Sequence, residues 1–217
     1  MFKQIINDYE INEYIKYSDE CLNNMGFTEH GFAHVNKVAH TVEYILSEFG
    51  FDEGTIELGK IAGYMHDIGN CVNRHNHSHS GAIIARQLLY NMGMSIQDIS
   101  KIMYAIGNHD ESDGTPADPI SAALVLADKA DIRRSRVRKE DISSFDIHDK
   151  VNYSVISANF SIDHSKKCFI LDIQLNTQYG TALDYYEIFL SRMLFCKKAA
   201  NIFGYNFSIQ VEECEKL

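Results

Sequence analysis

The sequence predicts a mainly α-helical chain: a helical bundle over residues 1–140, then a small antiparallel ββαβ subdomain over residues 141–217. Two observations predict it. From Ile5 to Ile132 the apolar residues recur at helical spacing, in blocks separated by breaks at Gly, Asp or Ser. Beyond Asn152 the period becomes strict alternation, returns once to helical spacing, and alternates again.

Ile5, Ile6, Tyr9, Ile11, Ile15 and Leu22 predict one amphipathic helix over residues 3–22. Phe32, Val35, Val38, Val42 and Ile45 predict a second, closing near Gly50. Asp52 caps a third, which runs through Ile56, Leu58, Ile61 and Met65 into the adjacent pair His66 and Asp67. Residues 70–79 read as a polar loop crowded with imidazoles, and residues 81–91 as a helix ended by Gly93. Ser95 caps the next, which reaches Asn108 or His109. Both prolines lie in the loop 110–119, and an apolar helix follows over 120–132, interrupted by Asp128, Lys129 and Asp131. Alternation at Ile156, Ala158, Phe160 and Ile162, a turn at 164–167, and alternation at Phe169, Leu171, Ile173 and Leu175 predict a hairpin. A helix over 182–203 and a strand over 205–211 complete the ββαβ order.

Composition narrows the function. A formal charge of -10 repels a polyanion, so a nucleic-acid polymer is not an expected partner. Five cysteines, an odd number with no C-x-x-C pair, read as reduced thiols, and Cys71 is the one near the His-Asp pair. No apolar run approaches the ~20 residues of a membrane helix and the N-terminus carries acids, so the chain is expected to be cytoplasmic and free of the membrane.

Ten histidines are the unusual feature, most of them between His30 and His109. A divalent ion at a hydrolytic centre takes neutral imidazoles and carboxylates and keeps positions open for water and substrate. His34, His66, Asp67, His77, His109 and Asp128 each stand near an end or on one face of an expected helix, so a bundle can converge them. A carboxylate inside the apolar run 122–130 is costly to bury unless paired or metal-bound, which singles out Asp128. His75, His77 and His79 share one loop and any of them can ligate; His30 and His40 read as neighbours of the site or surface residues.

This ordered set of motifs, spanning residues 28–138, resembles the HD-domain phosphohydrolases, an all-helical superfamily of metal-dependent enzymes. By that resemblance the helical part is an HD-type bundle, His34 is the first ligand, His66-Asp67 the central pair and Asp128 in Leu-Ala-Asp-Lys-Ala-Asp the last. His77, followed by Gly81-Ala82, and His109 in Ile-Gly-Asn-His-Asp are similar to the two further histidines of two-metal members, in which the central aspartate bridges the ions. The ββαβ tail lies outside the resemblance.

The expected activity is phosphomonoester or phosphodiester hydrolysis by a metal-bound hydroxide, with two divalent ions (Mn, Fe, Co, Mg or Ni) about 3.5–4 Å apart. Asp67, His66 and Lys129 are the expected catalytic residues, and His30, Lys129, Arg133 and Arg134 the expected substrate contacts, since a basic cluster on an acidic chain suits a nucleotide or other small phosphate ester. A homodimer is allowed for. Asn108 and the lack of Gly-Tyr-Pro depart from the HD-GYP cyclic dinucleotide phosphodiesterases, Asn70 stands where His-Asp-Ile-Gly-Lys has lysine, and residues 70–74 lack the Glu-Asp pair of alarmone hydrolases. A di-iron oxygenase and a nonenzymatic nucleotide sensor are the alternatives.

Overall fold

The computed structural model describes residues 1–215. The chain divides into two compact units, the first Met1–Asp128 and the second beginning at Lys129.

The first unit is all helical: α1 (Phe2–Ile5), α2 (Tyr9–Asn24), α3 (Phe32–Glu48), α4 (Glu53–Met65), α5 (His77–Asn91), α6 (Ile96–Gly107) and α7 (Pro119–Lys129), whose last residue opens the second unit. The single helix expected over 3–22 is two. Asp8 accepts from Ile11 N at 3.0 Å and starts α2 afresh, because a capping carboxylate satisfies an otherwise orphaned N–H. Asp52 and Ser95 cap α4 and α6 in the same way. Gly93 leaves α5 at φ 81°, the left-handed exit that glycine takes without strain.

Ile45, Leu46, Ile61, Met65, Ile68 and Leu89 are buried and form the centre of the bundle, where α3 packs on α4, α5 on α6, and α4 on α6. A short 3-10 turn, Ile68–Cys71, follows Asp67 and is held between α2 and α5. Ser18 Oγ of α2 donates to Ile68 O at 3.0 Å. At Gly69 a Cβ would collide with His77 O and Gly81 N, so the absent side chain lets the turn touch the start of α5. That contact brings His77 to the His66-Asp67 corner. It also extends α5 four residues N-terminal to Gly81, where sequence places a loop.

The second unit contains α8 (Ile147–Ser154), β1 (Val155–Asp163), β2 (Cys168–Asn176), α9 (Ala182–Ile202) and β3 (Asn206–Cys214). The segment 129–140, which the change of period leaves with the helical part, packs here: Arg134 Nε donates to Tyr153 O at 2.6 Å, with its guanidinium 4.2 Å from the Tyr153 ring centroid. Helix α8 was not apparent from apolar spacing; a reciprocal capping box between Asp146 and Asp149 starts it, and β1 begins only at Val155.

The ββαβ order is as expected, but the sheet is mixed and not antiparallel. Its order is β1-β2-β3, with β1 antiparallel to β2 and β2 parallel to β3, Leu171 pairing with both Phe160 and Ile209. The reason is connectivity. A tight turn reverses the chain between β1 and β2, whereas α9 carries it back to start β3 in the direction of β2. Phe169, Leu171, Ile173 and Leu175 are buried with Tyr185, Phe189 and Met193 of α9. Among the described residues no helix is long and apolar enough to cross a membrane.

Candidate metal centre

The six candidate side chains stand at or near helix ends. His34 lies in the first turn of α3, His66 caps the C-terminus of α4 with Asp67 after it, His77 opens α5, His109 follows the C-cap of α6, and Asp128 is in the last turn of α7. All six belong to the first unit, and five of them are buried, with His34 and His66 at 0% exposure.

Their donor atoms converge in two groups that share Asp67. His34 Nε2 and His66 Nε2 are 3.3 Å apart, and Asp128 Oδ1 lies 3.3 Å from the first and 3.7 Å from the second. Asp67 Oδ2 faces this group, 3.3 Å from His66 Nε2 and 3.7 Å from His34 Nε2. In the other group His77 Nε2 and His109 Nε2 are 3.2 Å apart, and Asp67 Oδ1 is 3.4 and 3.9 Å from them. His34, His66 and Asp128, and likewise His66, Asp67 and His109, have ligand atoms close enough to hold one ion.

The backbone sets the tautomers. His66 Nδ1 donates to Gly63 O at 2.8 Å, His77 Nδ1 to Arg74 O at 3.1 Å and His109 Nδ1 to Ile106 O at 2.6 Å, each to the carbonyl three residues back. Each Nε2 is thereby turned inward, and carries a lone pair when the imidazole is neutral. Two such lone pairs facing each other at 3.2 Å repel unless a proton or an ion lies between them, and two nitrogens each ~2.1 Å from one ion lie about 3.0–3.4 Å apart. The donor set therefore fits divalent metal.

The two carboxylates dominate the electrostatics. Burial works against a charged His66, but the Asp67 and Asp128 carboxylates outweigh it and raise the imidazole to about 10. Burial likewise opposes ionisation of Asp67, yet His66, His30 and His77 hold its carboxyl well below the usual range. The pocket selects a carboxylate and a positive neighbour.

Of the three loop histidines, geometry selects His77. His75 is exposed, and His79 is exposed with its Nε2 3.6 Å from Asp113 Oδ2. His30 is half-buried, its ring centroid 5.5 Å from that of His34 and its Nδ1 2.6 Å from Thr28 O. His40 is on the surface beside Glu43. Cys71 is half-buried, and burial pushes its thiol up, away from thiolate character. Lys129 is buried at the end of α7. Within the second unit Arg133 donates to Asp131 Oδ1 at 3.0 Å and to Ser135 Oγ at 2.7 Å, while Arg134 is bonded to the Tyr153 carbonyl.

Three further residues stand at the site. Asn70 Nδ2 donates to both the carbonyl and Oδ1 of Asp67, each at 2.9 Å. Asp110 Oδ2 lies 3.7 Å from His77 Nε2, and Arg74 Nη1 is 3.3 Å from the same nitrogen and from Asn70 Oδ1. A usable signal existed for Asp110: with His109 it forms a second His-Asp dipeptide.

Residues 31–134 match the family model for the HD domain. The chain is 24% identical over 161 residues to an uncharacterised protein of Methanocaldococcus jannaschii, covering 64% of this chain and 61% of that protein. It is 29% identical over 133 residues to ribonuclease Y of Desulfotalea psychrophila, covering 61% of this chain and 24% of that enzyme. The chain thus spans less than two thirds of either relative. A crystal structure of a predicted HD superfamily hydrolase from an uncultured Thermotogales bacterium superimposes with a TM-score of 0.44 at 24% identity, over 57% of this chain and 67% of that one. Over residues 31–134, just under half of its length, the chain is similar to the HD domain.

Proposed function

We propose that the chain is a metal-dependent phosphohydrolase that cleaves a nucleotide or another small phosphate ester. The observation that carries this reading is Asp67, whose two carboxylate oxygens face two different groups of histidines. On this reading Asp67 would help to hold two divalent ions, one with His34, His66 and Asp128 and the other with His77 and His109. When bound, the ions supply a water of lowered pKa and neutralise charge developing on the phosphoryl group.

The chain's own residues do the positioning. The Nδ1–carbonyl bonds lock three imidazoles, and Asn70 fixes the rotation of Asp67, so donor atoms are placed before an ion arrives. Within the first unit His30, beside His34, is the proposed contact for substrate phosphate.

Partial likeness to a ribonuclease supports phosphoester chemistry, while a charge of -10 disfavours a polyanionic substrate and supports a small one. The test is a panel of nucleotides and phosphate esters assayed with Mn²⁺, Co²⁺, Fe²⁺, Ni²⁺ or Mg²⁺. Phosphate or nucleotide product should be released, and Asp128→Ala should abolish it. Tight nucleotide binding without turnover would replace the reading with a sensor; oxygen consumption by the iron-loaded protein would replace it with an oxygenase.

A further inference from the structure

Helix α9 is apolar on two faces. Tyr185, Phe189, Met193, Cys196, Ala199 and Ala200 are buried on the side that packs against β2 and β3. On the other side Leu183 is 77% exposed, and Leu190 and Leu194 are each 52% exposed. With the exposed Glu187, Lys197 and Asn201 they stand at 183, 187, 190, 194, 197 and 201, alternating steps of four and three. At ~100° per residue all six lie within an arc of about 80°. A 4-3 stripe of this kind is the seam by which one helix lies along another.

We propose that the occupant of this seam is α9 of a second copy of the chain, running antiparallel. The charge pattern identifies the partner. Antiparallel pairing about the level of Arg192 sets Leu190 of one copy against Leu194 of the other, Glu187 against Lys197, and Leu183 against Asn201, with Ile202 at the border, each contact made twice by symmetry. Leucines meet at the centre and opposite charges flank them. Parallel pairing would set Glu187 against Glu187 and Lys197 against Lys197, so the same charges that favour one orientation penalise the other. Glu187 and Lys197 are too far apart along one helix to pair within it, since only neighbours three or four residues away share a surface. The inference is independent of the proposed activity.

The test is sedimentation of the full chain with and without charge exchange. At ~50 µM chain a species near twice 24.7 kDa should dominate. Glu187→Lys alone and Lys197→Glu alone should each weaken association by about ten-fold or more, and the double variant should regain it because the pair is swapped. Leu190→Ser with Leu194→Ser should give a monomer with unchanged helical circular dichroism, since both side chains are exposed. A monomeric wild type, or a dimer indifferent to the single reversals, or a double variant that stays dissociated while folded, would overturn the proposal.

Discussion

Asn70 donates from Nδ2 to Asp67 Oδ1 at 2.9 Å, the same oxygen that faces His77 and His109, and to the Asp67 carbonyl at the same distance. One buried amide thus sets the rotation of the carboxylate that both histidine groups share. Where the HD-type sequence pattern puts a lysine, this chain has a group that orients without adding charge.

Asn70→Ala should therefore weaken metal binding by about 10–100-fold, as loss of an outer hydrogen bond to a ligand does, while leaving the helical content intact. Titration calorimetry with Mn²⁺ on the refolded apoprotein measures it. Unchanged affinity would mean that Asp67 is held by its histidines alone.

The pH dependence of stability follows from His66 and Asp67. His66 is raised from 6.5 to about 10, so its contribution to stability is complete below pH 6.5 and is lost as pH rises through about 10. Asp67 is lowered, so its contribution is present above pH 3.8 and is lost only as pH falls through its folded value. Thermal melts in chelator should show Tm falling between pH 6.5 and 10. Metal must displace the His66 proton, so the rise in Tm on adding Mn²⁺ should grow over the same window. Melting curves that shift in parallel, with and without metal, would contradict this.

Gly69→Ala tests the corner that joins the two histidine groups. A methyl there collides with the His77 carbonyl and the Gly81 amide, both backbone, so α5 must move away from the turn. The expected cost is about 2–4 kcal/mol, read from denaturant unfolding, together with a loss of metal affinity because His77 moves with α5. A variant as stable as wild type would show that the turn and α5 are not tightly coupled.

The helical half and its six converging side chains were legible because each of these residues sits at or near a helix end, and caps and apolar periods mark helix ends in sequence. Asp128 was legible from cost, as a carboxylate in an apolar run. Asn70, Arg74 and Asp110 were not, since they act through hydrogen bonds and distances set by tertiary packing and carry no period. The start of α5 was hidden for a related reason: His77, Ser78, His79 and Ser80 have loop-like composition, and contact with Gly69 makes them helical. The parallel pairing of β3 likewise depends on where α9 returns the chain, which alternation does not encode.

The two histidine groups should empty separately. His34 Nε2 lies 3.7 Å from Asp67 Oδ2 and 3.3 Å from Asp128, whereas His77 and His109 lie 3.4 and 3.9 Å from Oδ1, so removing His34 or His77 leaves the donors of the other group in place. Elemental analysis of the purified protein should give about two ions per chain, falling to about one in His34→Ala and in His77→Ala and to near none in Asp67→Ala, which removes the shared ligand. Asp110→Asn should behave as a weaker His77→Ala, since Asp110 Oδ2 lies 3.7 Å from His77 Nε2. A loss of both ions in His77→Ala would mean a single cooperative centre, and one ion in the wild type that survives His77→Ala would restrict the metal to the His34, His66 and Asp128 side.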